Sequence, residues 1–277
     1  MGRRIGPRWH DLAGSAGLGW RACGRNIPRR RHRLLRRPRT RVILTRYGLR
    51  EWGIATCVAI VVLTLTGPTL SAIIPISILW IAVAAFFRDP LFRKPASADP
   101  RDLVSPADGV VSAVFACDHH PATNGPATVV RIFLSVLDVH INRMPCDGTV
   151  LSIVHTPGRY LDARSEESAK VNESNLVVVR SAAGDSIGIR QISGAIARRI
   201  VCPIAVGDTF TRAKRFGMIK FGSTTELIIP RPDSTVVHIA KGMRVVGGVT
   251  ILARLSPRAI TATTSPVTPA ATAVARD

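Results

Sequence analysis

Aromatic residues are scarce in this chain of 277 residues, with eight Phe, four Trp and two Tyr, and they offer no platform on which the bases of a single-stranded nucleic acid could stack. Cysteine is sparse as well. The five thiols, Cys23, Cys57, Cys117, Cys146 and Cys202, are odd in number and include no Cys-x-x-Cys pair. Neither a disulfide framework nor a zinc ribbon is indicated, and a reducing compartment fits. No His-Glu-x-x-His stretch occurs, and His119-His120 run into a segment rich in Pro, Asn and Gly. A metal hydrolase therefore has no ligand set, and no metal is expected. Acidic residues all but vanish from the first fifty positions, where Asp11 alone stands against fifteen arginines. Charge of either sign is missing from Gly53 to Phe87, a run of thirty-five residues.

That uncharged run far exceeds the roughly 18 to 20 residues that mark a membrane-spanning helix. As one straight helix it would reach roughly 52 Å, against a hydrocarbon core of about 30 Å. A break is expected at Gly67-Pro68, because proline removes a backbone donor and clashes with the preceding turn. Two apolar segments result, about Gly53 to Thr66 and Thr69 to Phe87. Both flanks are basic, with Arg46 and Arg50 before the run and Arg88, Arg93 and Lys94 after it. The positive-inside rule then puts both ends in the cytoplasm. The expectation is a hairpin or re-entrant anchor in the cell membrane, with the remainder on the cytoplasmic side. A single tilted span is the competing topology. The arginine-rich stretch before it, including Arg29-Arg30-Arg31-His32-Arg33, would attract any polyanion. Beside an apolar anchor, anionic headgroups are the natural partner, and no nucleic acid is expected.

After Pro95 short apolar runs alternate with Gly, Pro, Asp and Asn. Val110 to Phe115, Ala127 to Leu134, Gly148 to Val154, Leu176 to Arg180, Ser186 to Ile192, Leu227 to Ile229, Thr235 to Ile239 and Val245 to Leu255 read as strands. Gln191 to Val201 is ambiguous between strand and helix. The fold class expected is mostly β (α+β): one catalytic domain with an N-terminal membrane-anchoring helical hairpin. The organisation is a basic tail over 1–46, an anchor over 47–94, the domain over 95–258 and an Ala/Thr/Pro-rich tail over 259–277, both tails disordered.

Within the domain, Lys220-Phe221-Gly222-Ser223-Thr224-Thr225 sets a Gly-Ser bond between apolar runs, where it can serve as a self-cleavage site or simply as a turn. Pro106-Ala107-Asp108-Gly109 places a carboxylate just before a strand, a position that turn chemistry alone also explains. Asp138-Val139-His140-Ile141-Asn142-Arg143 puts a histidine, suited to proton transfer near neutral pH, beside polar and basic groups. His155-Thr156-Pro157-Gly158 leads on to Asn172-Glu173, and Gln191-Ile192-Ser193-Gly194 precedes Ala197-Arg198-Arg199-Ile200.

In this combination and order the segments closely resemble the phosphatidylserine decarboxylase proenzyme family in its shorter form, from about Tyr47 to Leu255. The resemblance implies a carboxy-lyase that first cuts itself between Gly222 and Ser223. The Ser223 hydroxyl attacks the Gly222 carbonyl, the acyl group moves from nitrogen to oxygen, and elimination followed by hydrolysis leaves a pyruvoyl group on residue 223 and releases ammonia. A large chain ending at Gly222 and a small chain beginning at residue 223 would remain together as a heterodimer. The covalent pyruvoyl cofactor captures the amine of the phospholipid substrate and serves as electron sink while carbon dioxide leaves. Ser223, Asp108 and His140 are the implied catalytic residues. Arg143, His155, Asn172 and Lys220 are candidate substrate contacts. Longer members carry a second histidine three positions after the first, where this chain has Arg143, so His140 is left to serve both self-cleavage and later proton transfer, unless Asp108 acts on Ser223 more directly.

Other readings compete. An ether-linked phosphatidylserine analogue would use the same headgroup chemistry. A membrane-tethered carrier module of the biotinyl or lipoyl type is compatible with short strands and turns such as Gly207-Asp208. It would need a modifiable lysine in a tight hairpin, and no Met-Lys-Met or Asp-Lys-Ala sequence is present.

Overall fold

The computed structural model describes residues 42–195, 199–220 and 222–257. Most of the basic tail, all of the C-terminal tail, Phe221, Ile196, Ala197 and Arg198 lie outside the described residues. In chain order the elements are β1 (Val42–Leu44), α1 (Leu49–Thr66), α2 (Leu70–Phe86), β2 (Arg88–Pro90), β3 (Asp102–Val104), β4 (Gly109–His120), β5 (Gly125–Leu134), β6 (Ile141–Arg143) and β7 (Gly148–Thr156). Then follow α3 (Ser168–Val171), β8 (Ser174–Ser181), β9 (Ser186–Ile192), β10 (Ile200–Val201), β11 (Thr209–Phe210), β12 (Arg215–Ile219), β13 (Ser223–Pro230), β14 (Thr235–Val237), β15 (Arg244–Val245) and β16 (Ile251–Leu255).

The centre is an antiparallel sheet of eight strands in the order β11-β7-β8-β9-β13-β5-β4-β15, flanked by three-stranded sheets β10-β12-β6 and β14-β16-β3. Every residue of β13 is buried. A strand covered on both faces reads as a continuous apolar run, here Leu227-Ile228-Ile229. Its one carboxylate is matched by register: Glu226 lies opposite Arg131 of β5 and Arg190 of β9, and accepts from Arg131 Nε at 2.8 Å with Arg190 at 3.5 Å. Val130, Ile132, Val177, Ile189 and Leu227 of the large sheet pack with Leu103, Phe216 and Leu252 of the smaller ones in one core.

Two segments differ from the sequence reading. Gln191–Val201 is neither one strand nor a helix, since β9 ends at Ile192 and β10 begins at Ile200. Val245–Leu255 is two strands, because Val246 N and Val249–Thr250 form a turn closed on the Val246 carbonyl and the Thr250 hydroxyl. The short strands β3, β6 and β12 have too few alternating residues to stand out in sequence.

The apolar run breaks at Gly67-Pro68 as the sequence requires: α1 stops at Thr66, Gly67 takes φ +77°, and α2 starts at Leu70. Trp80 Nε1 donates to Thr56 Oγ1 at 2.8 Å between the two helices. Residues Arg46–Thr66 form a helix long and apolar enough to cross a membrane, while Leu70–Phe86 is shorter. No residue of α1 is buried, and in α2 only Phe86 is. β1 pairs with β2, Val42 opposite Pro90, so the chain enters and leaves the helix pair at the same end.

Candidate active site

β12 and β13 are joined by Lys220, Phe221 and Gly222, and Gly222 occupies the left-handed region at φ +61°, which glycine adopts without the clash a Cβ would bring. The next residue opens the central strand. Ser223 is fully buried, and its Oγ has no hydrogen-bond partner. A buried hydroxyl left unpaired costs about 1 to 3 kcal/mol, so it calls for an explanation in chemistry rather than in packing.

His140 contacts this turn. Its Nδ1 lies 2.9 Å from the Asp138 carbonyl oxygen, which can only accept, so Nδ1 carries the proton and Nε2 is left as acceptor. Nε2 accepts from the backbone N–H of Gly222 at 3.3 Å. The imidazole has no exposed surface, and the Phe86 ring lies over it with centroids 4.3 Å apart. Burial pushes its pKa down to about 4, with the Asp138 backbone and carboxylate opposing. At neutral pH the site therefore holds a neutral base whose lone pair faces the turn. Gly194 also approaches the turn, so closely that a Cβ there would lie 2.2 Å from the Gly222 carbonyl oxygen.

Asp108 sits at the same end of the sheet but does not reach the serine. Val110 of β4 and Thr224 of β13 both lie opposite Phe133, which puts Asp108 and Ser223 two strands apart, roughly 10 Å. The Asp108 carboxylate is engaged by both terminal nitrogens of Arg93, one at 2.8 Å, and by the Gly247 N–H at 2.8 Å. Its charge is felt at His140, with no hydrogen bond between it and the Ser223 hydroxyl. Of the three residues named from the sequence, Ser223 follows Gly222 in the chain, His140 contacts the Gly222 N–H, and Asp108 is set back.

The remaining candidates are placed as follows. Arg143 is buried and donates to Ala213 O (3.0 Å), Asp89 Oδ1 (3.0 Å) and Pro90 O (2.7 Å). Burial and the nearby Arg93 lower its pKa to about 10. Asn172 is buried and closes a loop, accepting from Leu161 N (2.8 Å) and donating to Leu161 O and Ser193 O (both 2.9 Å). Both residues commit polar atoms to protein groups. His155 is half-exposed, 3.6 Å from Glu173. Lys220 is buried, its Nζ 2.5 Å from Glu51 Oε1 on α1.

Sequence reasoning did not single out the layer beneath the serine. Asn175 donates to Gln191, Gln191 to Asn142, and Asn142 to the Thr225 hydroxyl, at 3.1, 2.8 and 3.1 Å. Amide side chains inside a β core were the available sign, since they stay buried only when paired. Arg93, Glu51 and Phe86 were missed because they reach the site from the helix pair and the segment after it, distant in sequence.

Residues 80–253 match the family model described as phosphatidylserine decarboxylase. Among similar proteins, the phosphatidylserine decarboxylase proenzyme of Nitratidesulfovibrio vulgaris is 39% identical over 216 residues, covering 78% of this chain and 96% of the relative. That of Solidesulfovibrio magneticus is 39% identical over 76% of this chain and 95% of its own. The proenzyme of Carboxydothermus hydrogenoformans is 36% identical over 72% and 92%, respectively.

Proposed function

Since the chain belongs to the phosphatidylserine decarboxylase family, we propose that it is made as a precursor, cuts itself between Gly222 and Ser223, and then decarboxylates phosphatidylserine to phosphatidylethanolamine at a membrane surface. The observation that carries this reading is the buried, unpaired Ser223 hydroxyl one residue beyond a left-handed glycine whose N–H is held by His140. Neither packing nor hydrogen bonding accounts for a hydroxyl there, whereas attack on the adjacent carbonyl does.

In this account His140 Nε2 takes the Ser223 proton as the hydroxyl adds to the Gly222 carbonyl, which suits a neutral imidazole one residue away. For this step the Gly222 N–H must release Nε2 and the Ser223 hydroxyl, unpaired in this structure, must come within hydrogen-bond reach of it. Gly194, lacking a side chain, gives the Gly222 carbonyl oxygen room to change geometry. Asp108, fixed by Arg93, acts at a distance through its charge. Arg143, standing where longer relatives carry a second histidine, holds the segment after α2 to β6. This makes self-cleavage a one-histidine reaction here.

The residues fit a pyruvoyl group at position 223, because its precursor side chain is buried, unpaired and next to a fixed base. Such a group supplies the electron sink for decarboxylation. His140 then returns a proton to the carbon that has lost its carboxylate. Both product chains stay together because β13, the first element of the small chain, is paired along its length with β5 and from Thr224 to Ile228 with β9. Conversion of residue 223 to the pyruvoyl group removes its amide N–H and leaves the ladders from Thr224 onward.

The helix pair serves as the membrane anchor. It exposes Leu49, Ile54, Val58, Leu65, Leu70 and Leu79, and the β1–β2 pairing brings entry and exit to one end. This favours a hairpin or re-entrant dip over a single span, with the domain on the basic, cytoplasmic side. Purified protein incubated with vesicles containing carboxyl-labelled phosphatidylserine tests the reading. Release of labelled carbon dioxide with formation of the ethanolamine lipid, both absent for Ser223→Ala, supports it. No release from diacyl or ether-linked substrate by self-cleaved protein overturns it.

A further inference from the structure

Two residues before the scissile glycine, Lys220 carries a buried ammonium, its side chain 8% exposed, whose counter-ion is Glu51 in the first turn of α1. A buried ammonium without its partner is strongly unfavourable, so the pair fixes the position of both groups. Glu51 is the last charged residue before the uncharged run. An acidic residue in a first helical turn is ordinarily explained by the helix dipole. Here it reaches instead to the strand connection that contains the cleavage site, at 2.5 Å.

The same end of the helix pair grips the site from a second direction. Phe86, at the end of α2, lies over the His140 ring, and Phe87 packs edge-on to Phe86 with its own ring 5.9 Å from the Lys220 ammonium. Phe87 is held in turn by its carbonyl, which accepts from Thr45 N at 2.8 Å. The Lys220 backbone is fixed too, its N–H donating to Arg199 O at 3.2 Å. Only two residues of sequence separate Lys220, pinned at side chain and backbone, from Ser223, which opens β13.

We propose that Glu51 is a positioning residue for self-cleavage: by holding Lys220 it sets the Gly222 carbonyl against Ser223, so that maturation depends on the helix pair being seated on the domain. This rests on the self-cleavage reading above. A displacement of about 1 Å between reacting groups costs on the order of a hundredfold in rate. Losing the Lys220 tether is a displacement of that kind.

The test follows conversion of full-length precursor, made by cell-free synthesis in the presence of vesicles, into two chains. Wild-type protein, Glu51→Gln, Glu51→Asp, the exchange Glu51→Lys with Lys220→Glu, and Trp80→Phe are compared, with thermal unfolding recorded on the Ser223→Ala background of each. Glu51→Gln is expected to slow cleavage about tenfold to a hundredfold. Glu51→Asp and the exchanged pair should each recover part of the loss, which a general loss of stability would not allow. Trp80→Phe, which removes the bond between the helices away from the turn, should cleave at the wild-type rate. Should Glu51→Gln fail to fold, the Asp variant and the exchange carry the comparison. Cleavage of Glu51→Gln at the wild-type rate, or failure of both Asp and the exchange to recover any of the lost rate, overturns the proposal. Absence of cleavage in the wild type would instead overturn the self-cleavage reading.

Discussion

Replacing Phe86 by Ala opens the His140 ring to water and should restore its ordinary titration. In the intact protein burial holds the imidazole pKa near 4 instead of 6.5. At pH 5 a base of pKa about 4 is about 90% neutral, whereas an unperturbed imidazole is only about 3% neutral, a ratio of about thirtyfold. If neutral Nε2 takes the serine proton, wild-type self-cleavage at pH 5 should run at about nine-tenths of its pH 7.5 rate and fall only as pH approaches 4. In Phe86→Ala the decline should centre near 6.5, leaving roughly a thirtieth of its own plateau at pH 5. Stability moves in the same direction. The folded pKa is depressed, so the unfolded chain takes up a proton between pH 6.5 and 4 that the folded chain refuses. The loss begins as pH falls below about 6.5 and reaches roughly 3 kcal/mol below about 4. Folding must therefore be monitored at each pH by near-ultraviolet circular dichroism. The assay is gel electrophoresis of precursor shifted into buffers from about pH 3.5 to 8. Superimposed profiles for the two proteins, or a wild-type midpoint near 6.5, would refute the assignment of His140 as the buried base.

Gly194→Ala places a Cβ 2.2 Å from the Gly222 carbonyl oxygen, and should cut the rate of chain conversion by on the order of a hundredfold, read by intact mass. Unimpaired cleavage would mean that this approach is not used. Glu226→Gln leaves two arginines around a buried amide and should destabilise the Ser223→Ala protein by about 3 kcal/mol, measured by urea unfolding. A change below about 1 kcal/mol would place the ion pairs in the weak, exposed class. The full chain should remain bound to uncharged vesicles in roughly 1 M salt, because apolar insertion is not screened. Release under those conditions would assign binding to the arginine-rich tail.

How much of this was legible in the sequence depends on whether the cause was local. The helix break at Gly67-Pro68 and the strand Ser186–Ile192 follow from backbone chemistry and period-2 alternation, and both are present. Gly222-Ser223 was readable as a motif. The setback of Asp108 behind β5 was not, because it depends on which strand lies between β4 and β13, and strand order is a non-local property. The protein partners of Arg143 and Asn172 were hidden for the same reason. A cation or an amide beside a motif looks available until the carbonyls of Pro90, Ala213, Leu161 and Ser193 are brought to it. Glu51 was hidden by its place at the edge of an apolar run, where only the fold brings it to a lysine 169 positions later.

The central claim is that Ser223 cuts the chain, and intact mass of the purified protein beside its Ser223→Ala variant tests it most directly. Two species are expected from the wild type, one ending at Gly222 and one of 55 residues spanning 223–277 whose blocked N-terminus reacts with a carbonyl reagent, while the variant stays whole. A single intact wild-type chain in folded, vesicle-bound protein would contradict the account.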